Sequence, residues 1–424
     1  MLGRIKKLPL WQPLVQRPFR LLFYGQGSSL LADQFFLVAL TLLTLRVAGP
    51  GFELGAVLAV AAVPGAVLMP LGGWLSDRFP PASILVVSNT GRAMLVATFC
   101  GLVLLETTQL WHLYALAGAL GVLDALHYPA SLSVVPAFVE KDKLEAANAL
   151  VQGAEQMSST VGPALAAGVV AAAGLGAAFG LNALAFLVAA VVFRGAVRLT
   201  RGRATGEEPA AARENSPNVA EPGKASGPLA SIIEGMKYAW RDAPIRAMLL
   251  GLAAINVAAV GPMIVGGALL AEERFGGAGA FGVLLSAFGG GSLLGVLGAG
   301  SLGRRRYRGL TFLGLFALFG CALAAMGFVP NLPIASAVAA AMGSATGYFG
   351  VALVAWVQDR AEERFRGRVM SLVVLATIAL EPFSYAMAGV LTEAGIETLF
   401  VSAGALILLA VLTGAASRTV RGLD

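Results

Sequence analysis

The chain has 424 residues, 57% of them hydrophobic and 13% charged, about half the charged fraction of a soluble domain, which excludes an ordinary soluble globular protein. The net charge of +6 comes with no base-reading or phosphate-cradling motif, so no nucleic-acid partner is expected. Cys100 and Cys321 each stand alone in an apolar stretch, one in each half, and support neither a disulfide framework nor a thiolate metal site.

In chain order, Lys6, Lys7, Trp11 and Arg17 precede the first apolar run without the short core and cleavage site of a removed signal, so that run is expected to stay as an anchor. Apolar stretches of about 20 residues, each able to cross roughly 30 Å as a helix, then recur twelve times. They fall near 20–46, 54–76, 83–105, 110–138, 146–172, 175–194, 245–270, 281–303, 309–329, 332–357, 369–392 and 396–416. Positive residues collect in cytoplasmic loops beside membrane helices. With both termini placed inside, the cytoplasmic segments and adjoining helix ends hold 28 of the 30 Lys and Arg, leaving Arg46 and Arg274. One span more or fewer would invert the later loops and destroy this alternation.

The apolar pattern stops between Arg198 and Pro228, where a segment rich in Ala, Glu, Pro, Gly and Arg reads as a flexible cytoplasmic linker. The expected division is a six-helix bundle over 1–197, a linker over 198–228 and a second bundle over 229–424. After the linker, Ile232, Ile233, Met236 and Trp240 share one helical face, which predicts an amphipathic helix on the inner surface. The run Gly289 to Gly303 lacks the Lys-Ser/Thr of a phosphate loop and reads as helix-packing surface. Gly168-Val169, Ala173-Gly174 and Phe179 recur 221 residues later as Gly389-Val390, Ala394-Gly395 and Phe400, an internal echo at the turns after spans five and eleven.

Four carboxylates lie mid-span: Asp33, Asp124, Glu155 and Glu381. A charge at that depth costs roughly 2.5–3.5 kcal/mol, and such residues usually face a watery cavity on an ion or proton path. Their helical neighbours add polarity: His127 and Tyr128 beside Asp124, Gln152 and Ser159 beside Glu155, Thr377, Ser384 and Tyr385 beside Glu381. His127 invites a metal reading, but a lone buried imidazole among carboxylates suits a proton relay or hydrogen-bonding role better. Arg92, on the third span, is expected to snorkel to the cytoplasmic side and be structural. No buried basic residue is expected in the cavity.

Several segments resemble the major facilitator superfamily, in particular its branch of bacterial drug and siderophore exporters. They are RPFRLLFYGQGSSLLADQFFLVAL with Asp33, GGWLSDRF at 72–79, PASLSVVPAFVEKDKLEAANAL at 129–150, VGPALAAG at 161–168 and FRGRVMSL at 365–372. Two departures stand out: Arg78 is followed by Phe79-Pro80-Pro81 rather than a glycine and further basic residues, and the glycines after Gly162-Pro163 are replaced by Ala166-Ala167.

The resemblance implies an all-α membrane protein of twelve transmembrane helices in two pseudo-symmetric six-helix bundles, with helices 1, 4, 7 and 10 innermost and 3, 6, 9 and 12 outside. It implies that Asp77 and Arg78 clamp neighbouring helices when the cytoplasmic gate shuts; Glu362, Glu363, Arg364, Arg366 and Arg368 form the corresponding charged loop of the second half, read mostly as a solvated face, with added gate contacts as the alternative. A carboxyl group removed from water takes up a proton more readily, so the set Asp33, Asp124, Glu155, Glu381, His127, Tyr128, Gln152 and Tyr385 is expected to line a proton-coupling and substrate cavity. The expectation is a monomeric, proton-coupled exporter of small lipophilic or cationic molecules in the bacterial inner or plasma membrane. It would need no metal or cofactor, and sodium remains an alternative to the proton. A siderophore or lysolipid exporter, or a membrane sensor that binds without transporting, are the other readings. No nucleophile, base and orienting group occur together as an enzyme would need.

Overall fold

The computed structural model describes residues 9–49, 51–204, 228–302 and 308–417. Ten helices among these are long and apolar enough to cross a membrane. One of them, Leu144–Leu199, is 56 residues long and folds back at Gly174, so it supplies two spans. The twelfth span is Leu110–Val134, 25 residues and therefore about 37 Å of helix. It is less apolar because Asp124, His127 and Tyr128 sit on it.

We label the spans α1 (Arg17–Ala48), α2 (Phe52–Arg78), α3 (Pro81–Leu104), α4 (Leu110–Val134), α5 and α6 (144–173 and 175–204, the two arms of Leu144–Ala204), α7 (Ala243–Arg274), α8 (Ala278–Leu302), α9 (Arg308–Met326), α10 (Leu332–Arg360), α11 (Glu363–Ile378 and Glu381–Thr392) and α12 (Ile396–Ala416). The amphipathic helix expected after the linker runs from Pro228 to Arg241. Helix α6 continues to Ala204, beyond the expected start of the linker at 198, and residues 205–227 lie outside the described ones.

The two halves repeat one packing plan. In the first, α2 packs on α4, α3 on α4 and on the arms of Leu144–Ala204, and α1 on those same arms; in the second, α8 packs on α10, α9 on α10 and α12, and α7 on α11 and α12. Between halves, α2 meets α11 and α8 meets the Leu144–Ala204 pair. Advancing the first contact by six spans gives the second, which is the pseudo-twofold relation. The sequence echo has a conformational cause as well. Gly174 (φ 82°) and Gly395 (φ 103°) hold left-handed backbone at the turns after α5 and α11, where a side chain would be strained, and Phe179 and Phe400 behind them are fully buried.

Calling the end where α1 begins and α12 finishes the terminal face, the opposite end is the distal face. Both inter-half seams tighten near the distal face. A Cβ on Gly55 would collide with the Tyr385 carbonyl and Gly389, and one on Gly282 with Ala167 and Pro163. Farther in, the Gln156 amide donates to the Gly289 carbonyl at 3.1 Å, and the Ala164 N–H donates to Ser286 Oγ at 3.0 Å. The glycine-rich run of α8 packs as expected: Gly289 abuts Ser159 and Thr160 of α5, and Gly291 and Gly295 abut Ala340 and Ser344 of α10.

Charges on the terminal face of the second half are not merely solvated. Arg368 pairs with Glu234 of the surface helix at 2.7 Å, Arg308 with Asp359 at 2.9 Å, and Arg360 grips Asp242 through both carboxylate oxygens at 3.0–3.2 Å. Asp242 also caps α7, accepting from the Ile245 N–H at 3.0 Å. Replacing Asp242 with alanine is expected to cost about 1 kcal/mol, the usual worth of an N-cap, read as a lower midpoint of thermal unfolding in detergent; an unchanged midpoint would show that the cap adds nothing.

Candidate functional site

A cavity of about 390 Å³ lies against the first half and is closed on one side by α11. It brings together Asp33 from α1, Asp124, His127 and Tyr128 from α4, Glu155 from α5, and Glu381 and Tyr385 from α11. Seven of the eight residues expected at the cavity are therefore there. The eighth, Gln152, is not: Val151, one full turn before Glu155, takes that place on the wall, and Gln152 is exposed elsewhere. Ser159 likewise turns to the α8 seam, where its hydroxyl donates to the Gln156 carbonyl at 3.0 Å.

Arg92 is the main correction. It does not snorkel; its side chain is only 3% exposed and lies at the cavity wall, one Nη 3.4 Å from Asp33 Oδ1 and the other in close contact with Asp124 Oδ1. Its guanidinium also stands 5.3 Å from the Phe186 ring centre, and its Nε is buried without a partner. The reason is electrostatic. A guanidinium snorkels when it has no counter-charge at depth, and here α1 and α4 each supply a carboxylate. The two aspartates keep 39% and 50% of their side chains exposed to the cavity, so one buried cation joins two wetted anions. Without Arg92, the cytoplasmic share of Lys and Arg expected from the sequence becomes 27 of 30. Its position midway along α3, beside Ser88 and Asn89, was the available signal.

His127 points into the seam between α4 and α3. The Asn89 amide N–H₂ donates to the Leu85 carbonyl at 2.8 Å and contacts His127 Nδ1 at 3.3 Å, while Asn89 Oδ1 accepts from Ser29 at 3.0 Å. That arrangement makes His127 Nδ1 an acceptor and leaves the ring proton on Nε2. Ser88 Oγ stands 3.2 Å from the same Nδ1. Ser29, Asn89 and Ser88 were not among the expected site residues; they hold α1, α3 and α4 together behind the aspartates.

Glu155 and Glu381 have no ion-pair partner among the described residues. Glu381 opens the second segment of α11, after a break at Ala379–Leu380 that Pro382 helps impose. Its carboxylate thus stands at the positive end of a half-helix at mid-depth. Three residues on, the fully buried Ser384 reaches α7: its Oγ accepts from the Gly261 N–H and donates to the Val257 carbonyl, both at 2.7 Å. A π-helical turn follows at Pro262–Gly266. The expected gate pair ends α2 on the terminal face: Arg78 lies 4.4 Å over the Trp74 ring, and both Asp77 and Arg78 are exposed.

Twelve spans in two pseudo-symmetric bundles, closing on a charged mid-depth cavity, define a secondary-transporter architecture. The chain belongs to the Major Facilitator Superfamily, which it matches over residues 22–376; it is a multi-pass membrane transporter. It is similar to the MFS-type transporter YfiS of Bacillus subtilis (strain 168), 26% identical over 415 residues, 93% of this chain and 91% of that one. It is also similar to the multidrug efflux pump Tap of Mycolicibacterium fortuitum, 27% identical over 200 residues, 46% of this chain and 48% of that one. In fold it is similar to a point mutant of the nucleoside transporter NupG, with a TM-score of 0.70 at 10% identity, covering 93% and 98% of the two chains.

Proposed function

We propose that the protein is a proton-coupled exporter that exchanges protons for small lipophilic cations. The observation that carries the reading is charge imbalance: four carboxylates face one cavity with a single guanidinium, and that guanidinium is shared by Asp33 and Asp124. Glu155 and Glu381 are left to find another counter-charge, since a bare carboxylate is costly away from water. A proton and a substrate cation are the two candidates, and competition between them for the same oxygens gives antiport. Tyr128 and Tyr385 add ring faces and hydroxyls beside these acids.

The distribution of Lys and Arg supports a cytoplasmic terminal face, with both termini inside the inner or plasma membrane. The tight distal seams then correspond to a state loaded from the cytoplasm, with Asp77 and Arg78 waiting to clamp when the inner side shuts. The part-length similarity to Tap supports efflux as the direction. The protein is expected to work as a monomer, since all four carboxylates and the guanidinium of the cavity come from one chain. The anionic-siderophore reading is weaker: the cavity does hold a buried arginine, but two carboxylates already occupy it.

The test is ethidium transport by the purified protein in proteoliposomes. With an imposed pH gradient, uphill ethidium movement is expected, and collapsing the gradient with nigericin should abolish it. Flux that ignores the proton gradient and follows a sodium gradient would replace the coupling ion; no ethidium flux, nor any of a panel of lipophilic cations, would sink the exporter reading and favour a ligand sensor.

A further inference from the structure

A second cavity, of about 420 Å³, lies wholly within the second half and shares no lining residue with the charged one. It is within the usual size of a small-molecule site. Its walls are aromatic and aliphatic, with Phe288, Phe316, Phe319 and Phe349 from α8, α9 and α10, and Met263 on the π-helical turn of α7. Such turns concentrate at functional sites.

Three polar residues interrupt this lining, and each donates a hydrogen bond to its own helix. Asn256 Nδ2 donates to the Leu252 carbonyl at 3.0 Å, Thr346 Oγ1 to Met342 at 2.9 Å and Thr377 Oγ1 to Val373 at 2.7 Å. What remains to face the chamber is oxygen lone pairs and the second amide N–H of Asn256. The chamber therefore offers apolar surface and mostly acceptors, which suit an apolar body carrying N–H groups.

Helix α11 links the two cavities. Val373 and Thr377 line the apolar chamber, while Glu381 and Tyr385 line the charged one, four residues apart in each step. The step from Thr377 to Glu381 crosses the break at Ala379–Leu380, but both of those residues keep right-handed helical angles, so the step still rises about 6 Å, the span of a single aromatic ring system. We propose that the substrate lies along this stripe of α11, its apolar body in the second-half chamber against Phe288, Phe319 and Phe349, and its cationic group at Glu381. The inference rests on the lipophilic-cation reading above and adds where, and in which orientation, such a molecule sits.

The test uses full-length protein in detergent with ethidium, a planar lipophilic cation bearing N–H groups, and reads binding by fluorescence anisotropy without any gradient. Gly350 lines the chamber on α10, and a Cβ built on it meets nothing within 4 Å, so Gly350→Phe fills the chamber without displacing backbone. Ethidium affinity should fall at least tenfold in this variant. In case it misfolds, Gly350→Cys on a background of Cys100→Ala and Cys321→Ala gives a second measurement: bound ethidium should slow its labelling by N-ethylmaleimide severalfold. If wild type binds ethidium, Glu381→Gln weakens it, and neither the filled nor the labelled chamber responds, the chamber assignment is overturned while the exporter reading stands. If wild type binds neither ethidium nor tetraphenylphosphonium, the lipophilic-cation reading fails and the chamber assignment fails with it.

Discussion

Replacing Arg92 with leucine is expected to destabilise the first half by about 3 kcal/mol and to stop proton-driven ethidium flux. Removing one partner of a buried ion cluster typically costs 3–5 kcal/mol, because it strands the opposite charge. The lower figure applies because the side chains of Asp33 and Asp124 are 39% and 50% exposed and can be hydrated from the cavity. A double variant, Arg92→Leu with Asp124→Asn, should recover part of the loss, since fewer carboxylates then lack a counter-charge. Arg92→Lys should recover less than half, because an ammonium group cannot offer the two separated donors with which the guanidinium reaches both α1 and α4. Thermal unfolding in detergent checks the series. A single Arg92→Leu variant as stable as wild type would mean that the cluster holds nothing together.

Substitutions of Asp33 and Glu381 should separate two roles that the cavity combines. Both Asp33→Asn and Glu381→Gln are expected to leave less than a tenth of wild-type uphill ethidium flux. They should differ at equilibrium. Glu381 has no cationic partner among the described residues and stands beside the apolar chamber, so Glu381→Gln should weaken ethidium binding about tenfold, or roughly 1.4 kcal/mol. Asp33 neutralises Arg92, so Asp33→Asn should bind ethidium within a factor of about three of wild type yet fail to couple it to protons. The measurement is paired flux in proteoliposomes and anisotropy in detergent. Wild-type flux from both variants would remove the carboxylates from the mechanism; equal loss of binding in both would dissolve the division of labour.

The fold was legible because membrane spans are written as long apolar runs and loops as basic clusters. The turn glycines were legible too, since Gly174 and Gly395 announce themselves by spacing and are required by their backbone angles. The acids at Asp33, Asp124, Glu155 and Glu381 stood out by their cost. Arg92 signalled only its depth, midway along α3; its meaning depends on pairing with α1 and α4, residues 59 and 32 positions away in the chain, and no local signal encodes that pairing. Gln152 was misplaced for a smaller reason: a helical face drawn three residues back from Glu155 lies on its other side from Val151, and packing chose between them. The break in α11 had a visible cue in Pro382 and the π-helical turn in α7 one in Pro262, whereas the contact of Ser384 with α7 had none.

That contact has a mechanical consequence. A π-helical turn holds an extra residue relative to regular helix, so straightening it would turn the helix beyond it by about 100°, the rotation of one residue. In α7 the hydroxyl of Ser384 bridges Gly261 and Val257 immediately before the bulge. While engaged it is expected to hold the bulge at Pro262–Gly266 and Met263 at the chamber wall, and its release to let the segment straighten and turn that side chain out. Ser384 and Glu381 share the first turn of one half-helix, so occupancy of the carboxylate is expected to be felt at this contact. Hydrogen exchange at the Gly261 amide, compared with and without ethidium, reports whether the contact releases.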